Sequence, residues 1–403
     1  MPETPRQVSQ QSAQSLSSKT QPTDRPIEMR TGELILSSLP PEHRSMPSDF
    51  SISLASKGAV EAGIISPGRL ARQQPMAGFE DTFTDIVDFI VRATHRIWDE
   101  KAIGYLYEHY RSNATVVDDE GIVYGRDQVI ANTTQMLSAF PDLRIFAEDI
   151  IWCGDETTGF WVSHRCTLLG RNTGYSQWGP PTGRKVVVTC IANTHAVRNQ
   201  IDSEFVVYNT ASLMSQLGYD LRAEARRTRS LRDEAVLEAQ GSAERLLGQG
   251  RPANVLVPPT RDFADGRFLR STLDAMWNWR LLDRVDTAFV PSFRFHGPSG
   301  REMCGLGDYK AYVLALLAMF PDLTYQVEDL TWMGNDSEGY RAAIRWRIVG
   351  THLGHGFYGQ PTGRPVAMWG ITHMHLRDGQ ICEEWTVSNE FDVLVQLAAD
   401  ATE

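Results

Sequence analysis

Cysteine, long apolar runs and excess positive charge are all scarce in this chain, and each absence removes a class of protein. The 403 residues include 5 cysteines, which are scattered and show no C-x-x-C spacing, so neither a disulfide framework nor a cysteine zinc site is indicated. No apolar run approaches the roughly 18 residues that a membrane-spanning helix needs. The net charge of −11 argues against nucleic acid or an anionic membrane as the main partner.

The beginning of the chain also lacks the basic start and apolar stretch that mark a secretory signal. Together with the unpaired cysteines, this predicts a protein of the reducing cytoplasm. The hydrophobic content of 42% and the charged content of 22% are ordinary for globular proteins. The length indicates two or three domains, each large enough to bury a core.

What the chain does contain is a long internal duplication. Phe-Pro-Asp-Leu, Pro-Thr-Gly-Arg and Gln-Leu each occur twice, at 140–143 and 320–323, at 181–184 and 361–364, and at 216–217 and 396–397. The offset is 180 residues in every case, and about a third of the aligned positions between these motifs are identical. A repeat this long exceeds the roughly 20–50 residues of a solenoid unit, so it predicts two copies of one domain.

Composition and the repeat together predict four segments. Residues 1–78 are rich in Ser, Gln, Pro and Thr and form a disordered or arm-like tail, in which 32–39 and 59–70 are apolar enough to dock. Residues 79–220 form the first repeat and 263–403 the second. Between them, 221–262 is a linker with a charged helix at 223–247, either solvated or bound to a partner.

Each repeat has the pattern of helices followed by strands. Apolar periodicity predicts helices at 81–98 and 125–140, and again at 265–282 and 307–320. Strand-like runs follow at 143–152, 159–169, 185–197 and 200–208, and at 323–332, 339–349, 365–377 and 380–388. This order predicts an α+β fold with a mostly antiparallel sheet.

The motifs of the second repeat resemble those of the SnoaL-like polyketide cyclases, a group within the nuclear-transport-factor-2-like superfamily. The matching positions are 320–322, 345, 350–354, 361–364, 378–381, 383–385 and 396–397. The first repeat matches less fully, because Asn172 and Phe205 stand where the second has His352 and Trp385. The resemblance implies two cone-shaped α+β-barrel domains. In each, a curved, mostly antiparallel sheet wraps around N-terminal helices and encloses an apolar pocket.

The resemblance also implies a class of chemistry. It points to a cofactor-free enzyme that uses general acid/base catalysis on a small hydrophobic metabolite, cyclic or aromatic, as a cyclase, isomerase, dehydratase or lyase. A non-catalytic ligand-binding or scaffold protein stays open, as does a hydrolase that opens an epoxide or a lactone. No cofactor or metal is expected. The outer sheet faces are expected to pair as an intrachain pseudo-dimer, with homo-oligomerisation left open.

The key aspartate of the polyketide cyclases aligns here with Thr386, and with Val206 in the first repeat, neither of which can act as a base. Side chains alternate between the two faces of a strand, so Cys382, Glu384 and Ser388 are expected to share the pocket face with Thr386. Burial in that pocket would raise the pKa of Glu384, the candidate acid/base catalyst. Its alternative role is a structural carboxylate paired with an arginine.

The remaining candidates also come from the resemblance and the alternation. His352 and Arg345 are further catalytic candidates, although structural roles are open for both. The expected substrate-binding residues are Thr372, Thr386, Trp332, Trp277 and Glu204, the first-repeat counterpart of Glu384. We expect the opposite, outward face to carry His373, His375, Glu383, Trp385 and Val387. The second repeat, with its fuller motif set, is predicted to hold the better site.

Overall fold

A computed structural model describes residues 50–54, 72–232 and 266–399. The apolar tail segments at 32–39 and 59–70, and the linker after residue 232, lie outside these residues. Within the described ranges, each repeat forms one six-stranded sheet with helices on its inner face. No helix in this part of the chain has the length and apolar character needed to cross a membrane.

The first repeat begins with helices and ends with strands and two short helices. Its elements are α1 (Ile86–Trp98), α2 (Leu106–His109), β1 (Tyr110–Val117), β2 (Ile122–Tyr124), α3 (Arg126–Ala139), β3 (Arg144–Asp155), β4 (Gly159–Arg171), β5 (Lys185–Val197), β6 (Gln200–Val207), α4 (Thr210–Leu217) and α5 (Leu221–Leu231). Asp85 caps α1 by accepting the amide of Asp88, so the helix begins after residue 85 and not at 81 as predicted.

The second repeat follows the same order. Its elements are α6 (Arg267–Leu273), α7 (Asp283–Ala288), β7 (Phe289–Gly297), β8 (Arg301–Cys304), α8 (Leu306–Met319), β9 (Thr324–Asn335), β10 (Gly339–Thr351), β11 (Pro365–Arg377), β12 (Gln380–Ser388) and α9 (Glu390–Leu397). The helix predicted at 265–282 is shorter, because α6 passes into a single π-helical turn at Asp274–Asn278.

The two sheets have the same topology. The strand orders are β2-β1-β6-β5-β4-β3 and β8-β7-β12-β11-β10-β9. All neighbours are antiparallel except the pairs β1–β6 and β7–β12. This confirms the predicted α+β class and its mostly antiparallel sheets, although neither sheet closes into a barrel within the described residues.

The sequence patterns missed four strands: β1, β2, β7 and β8. Strand β1 escapes the alternation test because Arg111, Ser112 and Asn113 interrupt its apolar residues, and β2 and β8 are only 3 and 4 residues long. Strands β1 and β7 supply residues to the interiors of the two repeats, so the prediction of the site lacked these residues.

The outer faces of the two sheets lie against each other. An apolar cluster of Ile191, Val207, Trp369, Ile371 and Val387 joins them. Beside it, the buried carboxylate of Asp149 in β3 receives hydrogen bonds from Arg341 (2.6 Å) and His375 (2.8 Å) of the second repeat. His373 Nε2 lies 2.7 Å from Ser163 Oγ. His373 and His375 therefore face outward, as the alternation indicated.

The charged helix of the linker is only partly solvated. In α5, Ala225 is buried against Phe391 and Val395 of α9, and the side chain of Arg229 is buried as well. Arg232, just after α5, pairs with Asp392. The described part of this helix is therefore packed against the second repeat, which corrects the interpretation of a fully solvated linker.

Candidate active site

A cavity of about 250 Å³ opens inside the first repeat, between α3, the inner face of β1 and β6, and the loop that follows β4. Apolar side chains form much of its wall. Its polar and aromatic lining includes Trp98, Tyr110, Asp118, Asp119, Glu120, Asn132, Gln177, Trp178, Glu204 and Tyr208. For comparison, a cavity of about 150 Å³ accommodates benzene. The space therefore suits a small molecule somewhat larger than a single ring.

Glu204 of β6 lies on the wall of this first-repeat cavity. Its Oε2 accepts a hydrogen bond from the hydroxyl of Tyr110 at 2.8 Å, and Oε1 has no protein partner among the described residues. Burial raises the pKa of Glu204 to about 7, although the hydrogen bond from Tyr110 acts in the opposite direction. A carboxyl group with this pKa is partly ionised at neutral pH and can both accept and donate a proton.

Three more carboxyl groups lie in the turn between β1 and β2. Asp119 is buried and accepts the backbone amides of Tyr208 (2.6 Å) and Thr210 (3.1 Å), which ties the turn to the start of α4. Burial raises the pKa of Asp119 to about 7. Asp118 is partly buried, and Glu120, at the mouth, accepts a hydrogen bond from Gln177 at 2.7 Å.

Glu384 occupies the position in β12 that Glu204 occupies in β6. It is 5% exposed, and protein hydroxyl groups occupy both its oxygens: Tyr309 at 3.0 Å and Thr386 at 2.7 Å. Thr372 Oγ1 lies 2.7 Å from Thr386 Oγ1 and accepts the indole N–H of Trp346 at 2.9 Å. Burial raises the pKa of Glu384 to about 7 as well. The structure thus brings Glu384, Thr372 and Thr386 together, in a network with satisfied hydrogen bonds.

Aromatic rings surround Glu384 where the first repeat has small side chains. Phe295 pairs with Glu384 across the sheet, as Val116 pairs with Glu204, so strands β7 and β1 can be aligned directly. The ring of Tyr309 lies 4.9 Å from that of Phe293 and 5.3 Å from that of Phe295. By this register and the 180-residue offset, the first-repeat counterparts of Phe293, Phe295, Tyr309 and Tyr312 are Ala114, Val116, Val129 and Asn132. The side chains that differ are therefore those that line the cavity.

Arg345 and His352 do not converge on Glu384. Arg345 lies on the outer face of β10, where it contacts Glu328 at 3.2 Å and stacks 3.6 Å over the ring of Phe205. His352 is fully buried in the loop after β10, with its ring 5.5 Å from that of Phe320. Strand alternation puts Arg345 with Arg341 on the face of β10 that meets the first repeat, away from Glu384.

The predicted aromatic walls belong to the packed interior of the second repeat. Trp277 stacks on Tyr325 with ring centroids 5.7 Å apart, and Trp332 packs edge-on against Tyr340 at 5.8 Å. Cys382, expected beside Glu384, faces outward and contacts the carbonyl of His375. A β-bulge between Ile381 and Glu383 explains this, since one extra residue shifts the alternation.

Sequence reasoning missed Tyr110, Asp119 and the aromatic lining of the first-repeat cavity. Tyr110 begins a strand that was not predicted. A usable signal was nevertheless present: comparing the repeats position by position shows Val129 and Asn132 against two tyrosines. Loss of large rings from one copy of a duplicated domain indicates an opened interior.

Comparisons with known proteins identify the family of both repeats. The family model described as SnoaL-like polyketide cyclase matches residues 88–217 and 267–397. IdmH, a proposed polyketide cyclase from Streptomyces antibioticus, is 28% identical over 32% of this chain and 94% of its own, with a TM-score of 0.28. AclR from Streptomyces galilaeus, a proposed hydroxylase, is 26% identical over 34% and 82%, with a TM-score of 0.30. No curated protein matches the chain.

Proposed function

The chain belongs to the SnoaL-like polyketide cyclase family, and on that basis we propose that its first repeat is a cofactor-free acid–base catalyst for a small, largely apolar metabolite. The observation that carries the proposal is Glu204: a carboxyl group with a pKa of about 7, on the wall of a cavity of about 250 Å³, with one oxygen that has no partner among the described residues. Proton transfer by a positioned carboxyl group contributes roughly 10²- to 10⁴-fold to a rate.

Glu204 would act first as a base. Its free oxygen takes a proton from a carbon that a neighbouring carbonyl acidifies, and the electron pair moves into that carbonyl. Return of the proton to another carbon isomerises the substrate. Attack of the new carbanion on a second carbonyl cyclises it, and the protonated Glu204 gives its proton to the alkoxide that forms. Loss of a hydroxyl group dehydrates it, and the same proton lets that group leave as water. The hydroxyl of Tyr110 holds the other oxygen, so that Glu204 keeps one orientation during the transfer.

The second repeat has a supporting role in this proposal. Its carboxylate is enclosed by hydroxyl groups and rings, and its outer sheet face supplies the arginine and histidines that bind Asp149 of the first repeat. We infer an intrachain pseudo-dimer in which one copy reacts and the other stabilises it. This reverses the expectation that the second repeat holds the better site. The reason is that a catalytic carboxyl group needs a free oxygen and space for a substrate, and the hydroxyl groups and rings around Glu384 leave neither, however many family motifs the second repeat has.

The pH dependence of proton abstraction tests this proposal. A nitrobenzisoxazole needs only a positioned base to lose its C–H proton and open its N–O bond, and it releases a coloured phenolate. Because the base must be ionised, we expect the rate to rise with pH and to level off above about 7, the pKa of Glu204. A rate that follows hydroxide concentration from about pH 5 to about pH 9, with no plateau, would refute a carboxylate base.

Filling the cavity provides a second test of its location. Val129→Tyr gives the first repeat the residue that occupies the same position in the second, where it reaches the glutamate. We expect the ring-opening rate to fall about a hundredfold, because the new ring takes the space of the substrate. Val187→Tyr makes the same change at an exposed position of β5 and serves as the control. Equal rates for the two variants would place the reaction elsewhere.

A further inference from the structure

The charge on the wall of the first-repeat cavity is of one sign. Asp118, Asp119, Glu120 and Glu204 all line it, and no lysine, arginine or histidine is among the described residues that do. Arg232, whose charge acts on Asp118 and Glu120, is paired with Asp392. An anionic ligand would meet repulsion from every ionised side chain of this wall, whereas a cation would meet attraction.

The second repeat also contains a buried carboxylate just after its last strand, and there a positive side chain neutralises it. There, the buried Glu390 at the start of α9 pairs with Arg301 of β8 at 2.7 Å and accepts the hydroxyl of Tyr358 at 2.9 Å. In the first repeat, the turn between β1 and β2 carries three acidic residues, and Gly121 stands where the second repeat has Arg301. Within the described part of the chain, the negative charge of this cavity therefore has no counterpart of the Arg301 that neutralises Glu390.

Aromatic rings line the same space. Trp98, Tyr110, Trp178 and Tyr208 contribute to the wall together with the carboxyl groups. The faces of indole and phenol rings attract ammonium groups, and such rings around a pocket are the common means of holding a substituted amine. Carboxyl groups and rings together favour a ligand with an apolar body and one positive charge.

We propose that the ligand of the first-repeat cavity is an amine, a small ring-bearing molecule whose ammonium group lies against Glu204 and the acidic turn at 118–120. This deepens the proposed function and depends on it for the site, while it adds the charge of the substrate. It also gives the four carboxyl groups a shared purpose. Asp118, Asp119 and Glu120 hold the ammonium group in place, and the free oxygen of Glu204 can take a proton from a carbon of the same ligand that a carbonyl group acidifies, so that the electron pair moves into that carbonyl.

Binding of such an amine should release protons near neutral pH. Asp119 and Glu204 both have a pKa of about 7, and a neighbouring cation favours their ionised forms. The other charged groups that act on this cluster are Asp118, Asp392 and Arg232, of which only Arg232 is positive. Calorimetry at about pH 7 in two buffers of different ionisation enthalpy would measure this proton release directly.

Three probes of one size test the proposal: naphthylmethylamine, naphthylmethanol and naphthoate, titrated into the full chain. We expect the amine to bind at least about tenfold more tightly than the alcohol, and the carboxylate not to bind measurably. Glu120→Gln and Glu204→Gln should each reduce the preference for the amine. Glu108→Gln, which removes the same charge at an exposed position outside the cavity, should preserve it.

Equal binding of amine and alcohol would overturn the inference, as would failure of the amine to bind. An equal loss of preference in Glu108→Gln would also overturn it, because it would show that net charge alone is responsible. The proposed function fails separately. If the protein prefers the amine but its ring-opening rate does not depend on Glu204, only the proposed catalytic function is refuted. If ring opening depends on Glu204 but the protein shows no preference for the amine, only the proposal of a cationic ligand is refuted.

Discussion

Replacing Glu204 by glutamine is expected to lower the rate of benzisoxazole ring opening by about two to four orders of magnitude. Glutamine has nearly the same shape and can still accept the hydrogen bond that Tyr110 donates to Glu204. It cannot take up a proton, so the cavity should remain open while the reaction stops. Steady-state rates of the wild type and the variant at about pH 8, where Glu204 is mainly ionised, measure the effect.

Glu384→Gln is the matched control, because it makes the same change at the same position of the other repeat. Both oxygens of Glu384 are held by protein hydroxyl groups, so we expect its loss to change the rate by less than about twofold. The opposite pattern, with Glu384→Gln inactive and Glu204→Gln active, would move the active site to the second repeat. The two variants thus decide which half of the duplication reacts.

Replacing Asp149 by alanine is expected to destabilise the chain by about 3–5 kcal/mol, since breaking a buried ion pair leaves its partners uncompensated. Asp149 is 0% exposed and binds Arg341 and His375 across the interface between the sheets. Without it, a guanidinium and an imidazole would keep their desolvation cost and lose their acceptor. The midpoint of urea unfolding measures the change. Asp149→Asn, which keeps the volume, separates loss of charge from loss of packing.

Asp329→Ala provides the control for this measurement. Asp329 corresponds to Asp149 in the second repeat, but its side chain is 16% exposed and its contact with Arg345 is 4.0 Å long. An ion pair this loose is worth about 1 kcal/mol or less. If both variants shifted the midpoint equally, the network around Asp149 would not be what stabilises the interface.

The same network determines how stability depends on pH. Burial alone would raise the pKa of Asp149, but the nearby imidazole of His373, the hydrogen bond from His375 and the charge of Arg341 lower it well below its usual range. A carboxylate with a depressed pKa contributes stability above its unfolded pKa of about 3.9, and this is lost as the pH falls through the folded value. Burial lowers the pKa of His373 to about 4, so acidification below about 6.5 should already weaken the fold.

Strand alternation predicted which face of the sheet these side chains occupy better than the family motifs did. It placed Glu384, Thr372 and Thr386 on one face, and His373 and His375 on the other, and their contacts lie on those faces. It failed at Cys382, where a β-bulge inserts a residue that no local pattern reveals. The motifs, by contrast, favoured the second repeat, whose interior is filled with aromatic rings. They indicate the backbone fold of a repeat and give no information on the volume of its interior.

The sequence by itself determined that the protein is a duplicated α+β fold, because residue periodicity and a constant offset of 180 are local properties that survive without coordinates. Only the tertiary structure decided which repeat is open. The cavity depends on side chains from β1, α3 and β6, which span about 90 residues of the chain and meet only when the sheet curves around the helix. The partners of Asp149 come from the other repeat, about 190 to 230 residues away. No local pattern encodes such distances.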